Sequence, residues 1–318
     1  MVGLLCMCVG SEGTFAWPSD PYVLQFRREL VLTASLIGAA LAASGVAYQA
    51  ILRNPLADPY LLGVSSGAAL ASYLWRFPAV YAVVRLASPQ VAAASQQLFA
   101  FAGALLSVAI VFLLATRRGR LEPVTLLLVG VIVNSVNGAV FMLMNFLFME
   151  VSTSGGALSF LVGSIQTTIL PEQLYAATSV CAVGFVVLLL LGGQLNAAGL
   201  GTGEAQSLGI GIHRLRWIVL IVASLTTASA VAISGPIGFV GLVCPHLARL
   251  LVGSDHRKLL PVATGLGAAL LAVADATSRR LAQGDAAGTW LPVGVLTGLL
   301  GGPFFLFILS RRRGREVM

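Results

Sequence analysis

Apolar residues in this chain run in long blocks, and the polar positions gather between them. Read between charges and Pro or Gly breaks, nine blocks stand out, at 29–52, 60–75, 91–115, 124–148, 172–192, 216–234, 237–253, 259–282 and 291–310. A hydrocarbon layer about 30 Å thick asks for about 20 consecutive apolar residues per helix, each helix satisfying its own backbone hydrogen bonds. The pattern therefore predicts an all-α, polytopic membrane protein. Residues 2–9, Val-Gly-Leu-Leu-Cys-Met-Cys-Val, look like the tail of a tenth span, too short to cross and without the basic start of a signal peptide. The expectation is about ten transmembrane helices, the first truncated, in a single domain over residues 1–318.

Composition strengthens that picture: 58% of residues are hydrophobic and 10% charged, against roughly 25% charged in soluble domains. With ten crossings both termini share a side. Arg53, Arg117, Arg118, Arg120, Arg214, Arg216, Arg249, Arg257, Lys258 and the cluster at Arg311, Arg312, Arg313 and Arg315 fall on the C-terminal side. Arg27, Arg28, Arg76, Arg85, Arg279 and Arg280 fall on the other. That asymmetry places the C-terminus in the cytoplasm, with membrane lipid around the spans. The net charge of +7 is scattered between spans and forms no stripe, so nucleic acid is not an expected partner.

Two breaks interrupt the helical pattern. Arg53-Asn54-Pro55-Leu56-Ala57-Asp58-Pro59 carries two prolines and two charges, so the helix must stop there. Ser234-Gly235-Pro236-Ile237-Gly238 separates two short apolar runs, as a tight reversal or a broken helix. Small residues at four-residue spacing, as in Gly38, Ala42 and Val46, permit close helix approach in lipid.

Candidate chemistry is sparse. Asp275 and Arg279 stand at i and i+4 and can pair; Asp275 reads as the only acid within a span core. Ion-coupled transporters carry acids deep in several spans, so this pattern argues for an external energy source. Asn134, Asn137 and Asn145, interleaved with Gly138, Phe141 and Phe148, share one face of a helix. That face either bonds to neighbouring helices or lines a path. The chain has no His-Glu-x-x-His, no Ser/His/Asp set and no phosphate loop. It reads as a non-enzyme without a cofactor of its own; if ATP drives it, another chain binds the nucleotide. Cys181 and Cys244 read as small hydrophobes, and Cys6-Met-Cys8 has no His or acid nearby to complete a metal site. The weakly apolar stretch 193–215 reads as a loop in which residues 203–208 can make a short amphipathic helix that a partner could push, or a bare connector.

On these residues the chain resembles the FecCD family, permeases of importers for iron chelates, haem and cobalamin. The likeness rests on Arg53 to Pro59 with Leu62-Gly63-Val64-Ser65-Ser66-Gly67-Ala68, and on Gly238-Phe239-Val240-Gly241-Leu242-Val243-Cys244-Pro245-His246-Leu247-Ala248-Arg249 continuing through Gly253-Ser254-Asp255-His256-Arg257. Leu291-Pro292-Val293-Gly294-Val295 and Gly302-Pro303-Phe304-Phe305 complete it. The resemblance implies a homodimer of ten-helix subunits, two cytoplasmic ATPase subunits carrying ATP and Mg, and an extracytoplasmic substrate-binding protein. It implies a cytoplasmic gate at Asn54 and Leu56, with a second gate at Pro123 and Val124 where the family has hydroxyl residues. It implies a cytoplasmic coupling loop at 196–215, with Glu204, Ala205, Leu208 and Gly209 facing the ATPase. Thr202-Gly203 there, and Trp290 before Leu291, stand where the family has acids. Arg27 and Arg279 would dock the binding protein, and Leu30 replaces a further arginine. Asn134, Asn137 and Phe141 are the candidate path lining. An iron chelate, ferric siderophore or haem, taken up by alternating access is the favoured cargo, with cobalamin as the alternative and a stand-alone secondary transporter or channel as the competing class.

Overall fold

Helices begin and end where the chain carries stop signals. The computed structural model describes residues 2–9, 17–75, 77, 80, 89–117, 120–148, 162–165, 171–281 and 291–316. After a short α1 (Val2–Met7), α2 (Pro21–Leu52) opens at Asp20, whose carboxylate accepts the Tyr22 N–H, with Pro21 in the first turn. It closes at Arg53 in the left-handed conformation, φ 49°. A 3-10 turn (Pro59–Leu62) leads into α3 (Val64–Trp75), and α4 (Pro89–Ala115) follows. A two-residue ribbon pairs β1 (Thr116–Arg117) with β2 (Arg120–Leu121). Then come α5 (Pro123–Leu147), α6 (Pro171–Leu190), α7 (Gly192–Leu200), α8 (Thr202–Ser207), α9 (Ile212–Ser234), α10 (Val240–Val252), α11 (His256–Leu281) and α12 (Val293–Glu316).

The protein is helical, as the apolar blocks predict, but among the described residues six helices have the length and hydropathy to cross a bilayer: α2, α4, α5, α6, α9 and α11. Blocks 60–75 and 237–253 are not full spans. They fold as α3 and α10, of 12 and 13 residues, about 20 Å long at 1.5 Å per residue. The stretch 193–215 is not one loop either, because α7 occupies its first part.

Helix α2 is the centre of the bundle, packed against α11, α9 and α10. Its middle, from Ile37 to Tyr48, is buried on nearly every side, as expected of a helix apolar all round. Close approach is set by glycine: a Cβ on Gly38 would strike the Gly267 carbonyl of α11, and one on Gly45 the Gly241 carbonyl of α10.

Hydrogen bonds fix the heights of these elements. The Ser44 hydroxyl donates to the Ala223 carbonyl at 3.1 Å, Tyr48 and Ser224 hydroxyls meet at 2.7 Å, and the Gln49 amide donates to the Gly241 carbonyl at 3.2 Å. Ala223 and Ser224 are the midpoint of α9, so Gly241, at the start of α10, lies near mid-height of the bundle. Pro59 packs on Gly241, which brings the 3-10 turn and the start of α3 to that level too. Both half-length helices therefore begin near the middle. Helix α10 runs toward the end carrying α7 and α8, called here the arm end, where Arg249 donates to Gln49 at 2.6 Å. Helix α3 runs the other way, to where Trp75 donates to Ser95 at 2.7 Å.

Candidate functional site

Loop 53–58 leaves the arm end of α2 and climbs to mid-height. Pro55 and Pro59 deny it a helix, and Asn54 replaces the lost helical bonds locally. Its side-chain oxygen accepts the Leu56 N–H at 3.0 Å, and its carbonyl accepts the Ala57 N–H at 3.0 Å, an Asx-type turn. Asn54 and Leu56 are half-buried and Ala57 is buried. At the top of the loop Asp58 is buried and uses both carboxylate oxygens: one accepts the Tyr60 N–H at 3.0 Å, the other the Phe239 N–H at 3.3 Å. Phe239 precedes α10 with φ 69°, so this acid faces the positive end of a half-helix. Asp275 is thus not the only acid at membrane depth. Asp58 reads as a loop residue because its flanking prolines break the apolar pattern, and only the return of the chain into the bundle reveals its height.

Pro123 and Val124 open α5, with Val124 75% exposed. Helix α5 packs against the 3-10 turn that follows loop 53–58, so the two expected gate pairs stand on adjoining elements.

The arm is built from α7 and α8, joined at Gly201. Leu195 and Ala198 bury one face of α7. Its Asn196 is a double anchor for the α10–α11 turn: the amide donates to Asp255 at 2.7 Å, and the oxygen accepts the His256 N–H at 2.8 Å. The His256 ring Nδ1 lies 2.7 Å from that same oxygen. The Asn196 hydrogen bond, with help from the Arg257 N–H, holds the Asp255 carboxyl below the usual carboxylate range. Arg257 lies along Gly192 and Gly193, where a Cβ would come within 3.2 and 2.7 Å of its side chain. From the other side, Arg53 donates to the Ala198 carbonyl at 2.7 Å. In α8, Ala205 is fully buried while Glu204 is exposed, and Leu208, which caps the helix, is 64% exposed. Gly209, at φ 77°, turns the chain so that the Ile210 N–H returns to the Ala205 carbonyl at 3.0 Å.

At the opposite end, Arg27 donates to the Met7 carbonyl at 3.0 Å and is half-buried. Arg279 differs from the expected outward-facing cation: it is 4% exposed and paired with Asp275 at 2.7 Å. Helix α1 packs across α2 and α11 beside this pair. The polar face of α5 divides. Asn137 donates to Ser66 at 3.0 Å and Ser107 at 2.9 Å, and Phe141, 5% exposed, meets the Tyr73 ring edge-on at 4.7 Å. Both serve helix packing here, while Asn134 is half-exposed and the adjoining Ser135 and Gly138 are exposed.

His246 lies edge-on to Phe304 at 6.2 Å. Cys6, Cys181 and Cys244 are buried, and among the described residues no three His, Cys, Asp or Glu side chains converge as a metal site. Trp290 lies outside the described residues. Asp58, Asn196 and all of α7 escape sequence reasoning. An acid between two prolines, and a lone Asn amid small residues, are the signals that point to them.

The fold is thus a helical membrane bundle with two half-length helices and an arm folded over one end. The chain belongs to the FecCD transport family, which it matches over residues 13–311, and is an ABC importer permease of that family. It is 40% identical to the cobalamin import system permease of Halobacterium salinarum over 90% of this chain and 73% of that protein. It is 39% identical to the hemin transport system permease of Yersinia pestis, over 91% and 83% of the two chains. A solved metal-chelate type ABC transporter in an inward-facing conformation superposes with a TM-score of 0.77 at 31% identity, covering 98% of this chain and 97% of that one.

Proposed function

We propose that this chain is the membrane half of a bacterial inner-membrane importer for an iron chelate, ferric siderophore or haem, working by alternating access. Two copies enclose the path. Two ATPase subunits on the cytoplasmic side, which is the arm end, bind ATP and Mg, and a binding protein delivers cargo from outside. The carrying observation is the arm: α8 buries Ala205 and turns Glu204 and Leu208 outward, beside the loop that holds Asn54 and Leu56. A helix so presented suits a partner that pushes on it. Closure of the ATPases moves the arm, and the exit at Asn54, Leu56, Pro123 and Val124 responds. Arg27, half-buried, is the more accessible candidate for binding-protein docking; Arg279 would serve only after leaving Asp275. The metal-chelate and hemin names among similar proteins support the iron reading. The cobalamin relative supports the second cargo.

The test is uptake into liposomes holding this chain with its ATPase and binding-protein partners, challenged in turn with ferric siderophore, haem and cobalamin. ATP-dependent uptake of an iron chelate that requires both partners is the expected result. Uptake of cobalamin alone replaces the cargo, and uptake without the ATPase overturns the reading.

A further inference from the structure

Loop 53–58 is fastened at both ends to different parts of the molecule. At its start, the Arg53 guanidinium grips the Ala198 carbonyl in the last turn of α7, at 2.7 Å. A cation at a helix C-terminus is favoured by the helix dipole and by a charge-assisted bond. At its end, Asp58 is bonded to the Phe239 N–H at 3.3 Å, on the buried start of α10. Only Asn54, Pro55, Leu56 and Ala57 lie between these anchors, and the Asn54 turn already constrains them. Such a short segment cannot absorb relative motion of its ends by slack.

The two anchors differ in burial: Asp58 is buried and Arg53 is exposed. Asp58 sits at mid-height beside the buried Ala57, and its partner Phe239 leads into the buried Val240 and Gly241. The Arg53 anchor belongs to the surface, on the arm whose neighbouring α8 presents Glu204 and Leu208 to solvent. Arg53 adopts φ 49°, so its backbone is where α2 ends and the loop departs. A displacement of α7 therefore reaches the loop at the residue from which Asn54 and Leu56 hang.

We propose that Arg53 is the positioning residue that ties the ATPase-driven arm to the gate loop, with Asp58 as the fixed end against which the loop moves. This rests on the importer reading and adds to it the residue through which arm motion reaches the exit. Asn196, bonded to Asp255 and His256, ties the same arm to the α10–α11 turn, about which α7 pivots.

The experiment uses the full complex with its ATPase partner in nanodiscs, in a background lacking the four native cysteines. Spin labels stand at Leu56 or at Gln206 of each subunit. Distances are recorded without nucleotide and with Mg-ATP plus vanadate. In the parent protein both label pairs shift on trapping. In Arg53→Met the Gln206 pair still shifts and ATP turnover persists, while the Leu56 distance change on trapping is largely lost. Arg53→Lys, which keeps the cation, restores much of the Leu56 shift. Arg53→Gln gives the same readout with a shorter neutral donor and stands in if the methionine variant does not assemble. A Leu56 shift equal to the parent's in both neutral variants overturns the proposal. No shift at either site in the parent instead sinks the importer reading itself, so the two failures are distinguishable.

Discussion

At the scale of single residues, glycine decides how near the helices come. Gly45 has a carbonyl where its Cβ would be, and that carbonyl belongs to the backbone of α10, which no rotamer change can move. Gly138 has nothing within 4 Å of the same position. Gly45→Leu should therefore cost about 3 kcal/mol or more, the upper range for overpacking. Gly138→Ala should be neutral or stabilising by about 0.5–1 kcal/mol, since a helical glycine is replaced without a clash. Thermal unfolding of the two purified variants in detergent separates these outcomes; equal midpoints would show that α2 and α10 are not packed as closely as described. The sequence spacing of small residues pointed to close packing, yet it could not tell a glycine under a carbonyl from one facing open space. Both look identical in one dimension.

At the scale of elements, long apolar helices were legible because hydrocarbon demands an uninterrupted run. The boundaries of α5, α6 and α11 fall within about three residues of the apolar blocks, inside the usual spread of helix ends. What hid was any element whose identity depends on depth. Loop 53–58 and the start of α10 are polar or broken in sequence, and their backbones are held in the bundle by the bonds from Asp58 and Gln49. Helix α7 hid because its Gly- and Ala-rich sequence has no strong apolar period, and its burial comes from α2 and α11 around it. Helix α8, in contrast, matches the short amphipathic segment expected at 203–208 within a residue. Its two faces make separate predictions. Leu208→Arg or Glu204→Trp changes the outward face and should sharply reduce transport per ATP while leaving the unfolding midpoint unchanged. Ala205→Leu strikes the buried face and should lower that midpoint. Unaltered cargo-stimulated ATP turnover and uptake in both outward-face variants would remove α8 from the coupling route.

At the scale of the whole molecule, burial is unevenly shared. In α2, 78% of the most apolar window is buried within the chain, against 22% in α5 and in α6. A helix as bare as α5 must face lipid, another protein or water, and its chemistry distinguishes these. Ser135 and Gly138 interrupt an exposed surface otherwise made of Val124, Leu128, Val131 and Met142. Hydrocarbon has no use for that interruption, and the Ser135 hydroxyl meets its needs by bonding back to the Val131 carbonyl at 3.0 Å. Val183, 63% exposed on α6, lies one turn further into its helix than the exposed Ser179 and is followed on that face by Val186 and Leu190. If α5 borders the path between two copies, a cysteine at Ser135 meets water during the cycle while one at Val183 stays in lipid. In the reconstituted complex without native cysteines, Ser135→Cys should react with a membrane-impermeant maleimide, at a rate that changes on nucleotide trapping. Val183→Cys should stay unlabelled in every state. Equal protection of both positions would put this face of α5 in lipid and leave the path to be sought along the opposite side of the same helix, where Asn137 and Phe141 now hold α3 in place.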